Sequence, residues 1–532
     1  MDWSEYSTRY GNSVLQIIAT EASFNLTRPY YPPGEDELRG SGFIIDIMRG
    51  YVVTNSHVIH NARSIIGRIP KLGKYNIRLT LMGVCRKMDL GLCRIHPNDV
   101  QLIIQSLPNP ETLNLPFDDS LKVRVGEQVL AIGYPLGEEN IKVASGLISG
   151  FPHLEFDDFE SRPTYFQTTA SINVGNSGGP LINTSGKVIG ITSAGEVGSN
   201  NVGYVIPSRL FLAIFDALKE ETNRYPNIIE IPNISIDYNN SSPALMVYKG
   251  MQANEQGVID EGIYVRKTGA DNIFGPIEEG DIISHLSFDD PFFASSECFD
   301  ITRRQNSLLQ CGLKTVTGRI DNFGDIVFIY EGDIASDPTD SNQPTASQIL
   351  LLNRRMSFYD FCNLIPLGTT THIKLFRGDR WYRLDIIYKP KDVYRLSYKY
   401  FQFQVPEYEI FAGLVVCPLT LNHIQFFKTL DLYKYMKSKR KYQPYLIVVQ
   451  ILPGSTAYAI NSIQVTNILS FVNESPVNTL ADLRKALEQL DDIVTIETQD
   501  RSIFAIDKAT MIQEDQALIN DLKLNNYQYL IQ

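Results

Sequence analysis

The sequence lacks several features that would place it in another class of protein. None of its stretches holds about 18 consecutive apolar residues, the length that a membrane-spanning helix needs. Its 48 lysines and arginines are outnumbered by 60 aspartates and glutamates, so the formal net charge is −12. This charge argues against general affinity for nucleic acid or anionic lipid. We therefore expect neither membrane insertion nor a nucleic-acid partner.

The six cysteines are also few and scattered, with no CxxC pair and no spacing typical of a metal site. They fit reduced, structural thiols, although bridges between Cys85 and Cys93 or between Cys298 and Cys311 stay open as alternatives. We expect no metal and no cofactor. The first residues, MDWSEYSTRYGNS, lack a basic region followed by an apolar stretch, which a secretory signal would have. These features predict a soluble, intracellular protein, in a compartment that the sequence does not identify.

The length of 532 residues predicts three or four domains of roughly 150 residues each. The first 210 residues contain many short apolar runs separated by glycine and proline, such as Tyr51–Thr54 and Gln128–Ile132. This pattern is typical of an all-β barrel or sandwich. An amphipathic helix is predicted near Ser208–Glu221, and it would close the first domain. Two further units follow, and both combine strands with short helices.

The strongest chemical signal is the segment Asn173–Pro180, which reads NVGNSGGP. Its glycines allow a tight turn in which backbone amides can point at a developing oxyanion. We predict Ser177 as the nucleophile and the amides of Gly175 and Ser177 as the oxyanion hole. The alternative interpretation is a glycine-rich hairpin without catalytic function.

A serine nucleophile needs a base, and the base needs an orienting carboxylate. His57 follows the apolar run VVTNS and is the predicted general base. Asp89 is a single acid at the start of an apolar strand, where pairing with His57 would offset the cost of burial. The alternatives are a structural histidine and an ordinary turn residue. The order His57, Asp89, Ser177 is that of the double-barrel proteases.

At these motifs the chain resembles the HtrA/Deg family of serine proteases. The matching segments are Gly40–Phe43, Thr54–Val58, Asp89–Leu92, Val125–Gly133, Gln167–Leu181 and Asn201–Pro207. The later part resembles the plant-type Deg proteases, which carry two PDZ-like domains. The resemblance implies a mostly β fold, with a double six-stranded β-barrel of trypsin type followed by two PDZ-like α+β domains.

The resemblance also implies domain boundaries and activity. We expect a protease domain at residues 1–221, a first PDZ-like domain at 222–400 with a long insertion at about 291–350, and a second PDZ-like domain at 401–532. The family implies ATP-independent serine endopeptidase activity on unfolded or damaged proteins. It also implies protein or peptide substrates and a homo-oligomer, either a trimer or a multiple of trimers.

Substrate-binding residues are predicted less directly. The segment Ile191, Thr192, Ser193 and Ala194 should form one wall of the primary pocket, and its lack of an acid favours small or medium apolar side chains. In the first PDZ-like unit, Asn227–Glu230 stands where a glycine-containing loop is expected, which argues against tail binding there.

In the second PDZ-like unit, the predicted carboxylate loop is Phe411, Ala412, Gly413 and Leu414, whose backbone amides can bind a peptide tail. A PDZ fold used only for packing is an equal alternative. The competing functional hypothesis is a chaperone or scaffold that binds exposed apolar tails with little proteolysis. Val174, where the family has proline, leaves room for that alternative.

Overall fold

The computed structural model describes residues 6, 9–107, 109–135, 140–153, 163–195, 202–220, 226–253, 259–290, 314–331, 349–350, 356–400, 402–404 and 406–524. The chain divides into two compact units. The first contains residues 1–21 and most of the chain from 37 to 391, and the second contains residues 22–36 and 392–532. The domain boundaries given above remain predictions.

A closed barrel forms the amino-terminal part of the first unit. Its apolar strand residues pack inward, and Phe43, Val52 and Leu92 are fully buried. Pairing of the fifth and sixth strands closes the barrel. Its strands are β1 Val14–Ser23, β2 Gly34–Asp46, β3 Tyr51–Thr54, β4 Ala62–Arg68, β5 Ile77–Cys85 and β6 Leu90–Ile95.

A second closed barrel follows, with the strand order β10-β11-β12-β9-β8-β7. Its strands are β7 Gln128–Gly133, β8 Lys142–Gly150, β9 Phe166–Thr168, β10 Pro180–Asn183, β11 Val188–Gly195 and β12 Gly203–Pro207. The helix Ser208–Lys219 comes directly after β12 and buries its apolar face, including Phe211 and Phe215. The predicted helix is therefore confirmed, and so is the trypsin-like pair of six-stranded barrels.

The remainder of the first unit is built on an eight-stranded sheet. A two-residue strand, β13 Asn227–Ile228, first adds to β5 of the first barrel in parallel. The sheet strands are β14 Ile236–Asn239, β15 Ile263–Thr268, β16 Ile282–Asp290, β17 Lys314–Ile320, β18 Ile326–Glu331, β19 Ile349–Leu350, β20 Thr370–Arg377 and β21 Arg380–Ile387.

Part of the predicted insertion at about 291–350 lies in the described residues, as strands β17 and β18. Strands β17 and β18 pair with each other, and β17 pairs with β16. The side chains of Val316, Ile320 and Ile329 are buried. This hairpin belongs to the sheet because its apolar residues supply part of the core. Residues 291–313 and 332–348 lie outside the described part of the chain.

The second unit contains a three-stranded and a four-stranded sheet. Their strands are β22 Glu409–Phe411, β23 Leu414–Pro418 and β24 Leu446–Ile451, and then β25 Leu469–Val472, β26 Ser475–Pro476, β27 Ile493–Thr498 and β28 Ile503–Asp507. The run Phe411–Val416 is thus not one strand. It turns at Ala412 and Gly413, whose φ angles are +51° and +74°.

The helices are short. In chain order they are α1 Ser56–Ile59, α2 Pro97–Ser106, α3 Ser208–Lys219, α4 Pro243–Tyr248, α5 Phe358–Cys362, α6 Leu421–Phe427, α7 Leu430–Tyr433, α8 Thr456–Ile460, α9 Leu480–Leu487 and α10 Lys508–Asp521. The sequence predicts a helix at Thr479–Leu490, which matches α9, but it does not predict α10. None of the helices in the described ranges is long and apolar enough to cross a membrane.

Four cysteines lie in the described residues, and all are buried thiols outside any disulfide: Cys85, Cys93, Cys362 and Cys417. The alternative of a Cys85–Cys93 bridge is therefore wrong. Burial raises the pKa of Cys93 to about 12, so this thiol is kept protonated and unreactive. Cys298 and Cys311 lie outside the described residues.

Candidate active site

His57 and Asp89 meet at one end of the first barrel. His57 lies in α1, directly after β3, and Asp89 lies in the turn that leads into β6. His57 Nδ1 is 2.9 Å from both carboxylate oxygens of Asp89, and the backbone N–H of His57 donates to Asp89 Oδ1 at 3.0 Å. The side-chain amide of Asn55 donates to the backbone carbonyl of Asp89 at 2.9 Å. Side chain and backbone together fix the orientation of the imidazole.

The free-energy cost of burying Asp89 is offset by the groups that donate hydrogen bonds to it. Its side chain is only 8% exposed, whereas the His57 side chain is 48% exposed. Burial pushes the pKa of Asp89 up, but the charge and hydrogen bonds of His57 and the Ser193 hydroxyl lower it by more. The net pKa is below the ordinary value, so this carboxylate stays ionised beside the imidazole. Its backbone is strained, with a φ of +53°.

The loop before β10 presents Ser177. Gly175 and Gly178 adopt φ angles of +98° and +87°, which other residues rarely reach. A Cβ atom on Gly178 would lie 2.2 Å from the backbone oxygen of Ser41 and 2.3 Å from Thr54 Oγ1. Within the described part of the chain, the amides of Gly175 and Ser177 have no hydrogen-bond acceptor. Two unpaired donors beside a serine hydroxyl can receive an oxyanion.

Ser193 hydrogen-bonds to two of the three predicted residues, Asp89 and Ser177. Its hydroxyl donates to Asp89 Oδ2 at 2.8 Å, and its backbone carbonyl accepts a hydrogen bond from Ser177 Oγ at 2.5 Å. The predicted nucleophile and the predicted orienting carboxylate are thus bound to the same residue of β11. The Ser177 hydroxyl donates to this carbonyl in the structure, so its proton can pass to a base only after this hydrogen bond breaks.

The segment predicted as the substrate wall lies in β11, and its role stays a prediction. Ile191 and Thr192 are fully buried, and Ile191 pairs with β10 on one side and with β12 on the other. Thr192 Oγ1 donates to the backbone carbonyl of Asn176 at 2.6 Å, so it supports the serine loop. Ser193 is buried and contacts Asp89. The Ala194 side chain lies outside the described residues.

Sequence reasoning missed a second support of the serine loop, Ser41. Its hydroxyl donates to the Gly175 carbonyl at 2.7 Å and accepts from the Tyr134 amide at 2.9 Å. Its own amide donates to the Ser177 carbonyl at 2.8 Å. The only local sign of this role is that Ser41 stands between two glycines, directly before an apolar run. The partners of its hydroxyl, Gly175 and Tyr134, lie more than 90 positions away in the sequence.

The two segments that were considered for tail binding, Asn227–Glu230 and Phe411–Leu414, have different environments. Asn227 and Ile228 form β13, and the amide of Ile229 donates to the Val84 carbonyl at 2.8 Å. The backbone of that segment is therefore hydrogen-bonded to the first barrel. In the second unit, the amides of Ala412 and Gly413 both donate to the carboxylate of Asp515, at 2.7 and 2.8 Å. Phe411 and Leu414, which flank the turn, pair with each other across the hairpin.

Comparison with known protein families assigns two parts of the chain. Residues 40–191 match the model described as a trypsin-like peptidase domain, and residues 399–527 match the model described as a PDZ domain. Among the described residues, no group of three or more His, Cys, Asp or Glu side chains could hold a metal ion.

Curated relatives match about a third of the chain. A probable periplasmic serine endoprotease DegP-like of Chlamydia trachomatis is 36% identical over 192 residues, which are 35% of this chain and 35% of that protein. Periplasmic serine endoprotease DegP of Escherichia coli is 36% identical over 177 residues, 32% of this chain and 34% of that protein. The aligned region thus spans about a third of the length of these relatives.

A solved structure, an HtrA-type protease AlgW with a decapeptide, gives a TM-score of 0.42 at 19% identity and covers 74% of this chain and 99% of that one. The names of the curated relatives overturn the prediction of an intracellular protein. Because these relatives are periplasmic, they point to a periplasmic or extracellular location. A barrel core is built in the same way in any aqueous compartment, so its composition does not record where the protein works.

Proposed function

We propose that this chain is a serine endopeptidase of the HtrA/Deg type that uses Ser177, His57 and Asp89, and the trypsin-like peptidase match and the DegP relatives support this proposal. The observation that carries this proposal is the site around Ser193. There one residue hydrogen-bonds both the Asp89 carboxylate and the Ser177 hydroxyl, beside two unpaired amides.

The proposed reaction is acyl transfer to water. His57 removes the proton from Ser177 as the hydroxyl attacks the substrate carbonyl, and then gives it to the leaving amine. Asp89 accepts a hydrogen bond from Nδ1 of His57, which leaves Nε2 as the basic nitrogen. The amides of Gly175 and Ser177 bind the negative oxygen of the tetrahedral intermediate.

The family suggests the substrate and the assembly. We propose unfolded or damaged proteins as substrates, cleavage without ATP, and a homotrimer or a multiple of trimers. Light scattering of the purified chain tests the assembly, and casein digestion in the absence of nucleotide tests the other two statements.

The catalytic assignment is tested with Ser177→Ala. This variant should lose casein cleavage and labelling by a fluorophosphonate probe, because both need the hydroxyl, while its circular dichroism stays unchanged. Labelling of the wild type and its absence in the variant support the proposal. A wild-type chain that binds casein but reacts with no probe would instead be a chaperone or scaffold.

A further inference from the structure

A buried aspartate of the PDZ domain binds a turn of the same chain. Asp515 lies in α10 and is 4% exposed, and its two carboxylate oxygens each accept one backbone N–H of the turn between β22 and β23. Two successive left-handed residues, Ala412 and Gly413, form that turn and aim both amides to the same side. This is the arrangement with which backbone amides capture a carboxylate.

The turn is shaped for this contact. Gly413 has a φ of +74°, and a Cβ atom there would lie 2.2 Å from the Cβ atom of Ser455. The position therefore has to be glycine, because both the backbone angle and the neighbouring side chain exclude a larger residue. The φ of Ala412, +51°, is unfavourable for alanine and costs about 1–2 kcal/mol. The two hydrogen bonds to Asp515 help to offset this strain.

A second acid holds the same helix in place. Glu514 accepts hydrogen bonds from the backbone amide and the hydroxyl of Thr456, at 2.9 and 2.6 Å, at the start of α8. Met511 and Ile519, one turn to either side of Asp515, are also buried. The helix α10 is therefore anchored by an apolar stripe and by two carboxylates that bind backbone donors.

The strand edge beside the turn is filled as well. A peptide that adds to a sheet needs a strand with one unpaired edge. Here β23 pairs with β22 through Glu409–Val416 and Phe411–Leu414, and with β24 on its other side. Arg484 of α9 donates to the buried carboxylate of Glu409 at 2.5 Å, which ties β22 to that helix.

We propose that the PDZ domain is its own ligand: Asp515 occupies the carboxylate-binding turn at Ala412 and Gly413, and β22 occupies the adjoining strand edge. While α10 is docked, this domain is closed to the free carboxylate of a peptide tail. The inference rests on the PDZ match and these contacts, and it is independent of the proposed peptidase chemistry.

Hydrogen exchange of the full-length chain, resolved at residues 409–418 by mass spectrometry, tests the occupancy of the turn. Asp515→Ala should raise the exchange rate of the two turn amides roughly ten- to a hundredfold, since both lose their acceptor. Asp515→Asn keeps the size of the side chain but places an NH2 group where one oxygen was, and it should also lose protection. Gln516→Ala, at the exposed neighbouring position, is the matched control and should leave exchange unchanged.

Acetate serves as the probe for the emptied turn. In Asp515→Ala, acetate should restore protection by mass action, whereas acetamide, which is neutral and of similar shape, should not. In the wild type acetate should have no effect, because the site is filled. Two pentapeptides of the same sequence, one with a free terminal carboxylate and one amidated, should likewise have the same effect on hydrogen exchange at residues 409–418 of the wild type.

Three results would overturn the proposal. The first is unchanged protection of the turn in both Asp515 variants. The second is equal protection by acetate and acetamide in Asp515→Ala. The third is protection of the wild-type turn by the free-carboxylate peptide, which would mean that the domain is open to tails.

Discussion

Two buried aspartates, one in each compact unit, have opposite electrostatic environments. Asp89 receives the backbone and imidazole N–H groups of His57 and the hydroxyl of Ser193, and its pKa is lowered. Asp515 receives two backbone amides, yet its pKa is raised to about 6, mainly by burial and in part by the neighbouring Glu514. Both side chains are almost fully buried.

The difference lies in the partners. Neutral amides satisfy the oxygens of Asp515 but bring no positive charge, so burial still favours the protonated form. Asp89 faces a ring that can itself carry a positive charge, and a third donor adds to the effect. Buried, hydrogen-bonded carboxylates can therefore serve different purposes. Asp515 holds a helix against a turn, whereas Asp89 is suited to stabilise an imidazolium.

The largest expected effect comes from removing the charge of Asp89. In Asp89→Asn the imidazole loses the acceptor that fixes its tautomer, and kcat for a peptide substrate should fall about 10⁴-fold. The matched control is Asp99→Asn, in the same barrel, since Asp99 is equally buried but pairs with Arg78. That control should lower stability and leave kcat unchanged. Equal losses in the two variants would contradict the assigned role of Asp89.

The second prediction uses pH to separate the two aspartates. The folded carboxyl of Asp515 keeps its proton to a higher pH than the unfolded one, so its contribution to stability is complete below about pH 4 and is lost as the pH rises through about 6. For Asp89 the sign is opposite: its contribution is present above the ordinary aspartate pKa and is lost as the pH falls below it.

The pH effect can be measured by equilibrating the chain in urea at several pH values and then pulse-labelling with deuterium at one common pH. Relative to Asp515→Asn, the wild-type second unit should lose at most about 1.4 kcal/mol of unfolding free energy per pH unit between about pH 4 and about pH 6. Parallel pH dependence in the two proteins would show that Asp515 does not titrate in this range.

The smallest expected effect concerns Ser56, next to His57. Its hydroxyl is buried and has no hydrogen-bond partner among the described residues. Ser56→Ala should therefore raise the unfolding free energy of the first unit by roughly 0.5–1 kcal/mol, with kcat unchanged. Ser41→Ala is the contrasting variant, because its equally buried hydroxyl is hydrogen-bonded on both sides, and it should destabilise. Urea unfolding of both variants decides the matter.

The chemistry of the site was more predictable than its supports. A nucleophile, a base and an orienting acid need particular residue types in particular local settings, so short motifs were enough to predict Ser177, His57 and Asp89 for these roles. The supporting roles of Ser41 and Ser193 depend on contacts between distant strands, which local patterns do not contain. For the same reason the sequence does not indicate that Thr192 supports the serine loop.

The second unit shows two other limits of prediction. The sequence predicts Phe411–Leu414 as a loop whose amides can bind a carboxylate, but it does not indicate that Asp515 of the same chain accepts from Ala412 and Gly413. The helix α10 buries only Met511, Asp515 and Ile519, so its buried stripe has an acid at its centre and gives a weak amphipathic pattern.

The Ser41 hydroxyl, which bridges Gly175 and Tyr134, has a consequence for protein engineering. Because a residue of the first barrel shapes the loop that carries Ser177 in the second, neither barrel alone contains a complete site. If the two barrels were produced as separate polypeptides, cleavage of a fluorogenic peptide would report their reassembly. The domain could thus be converted into a split reporter in which peptide cleavage signals that the halves have joined.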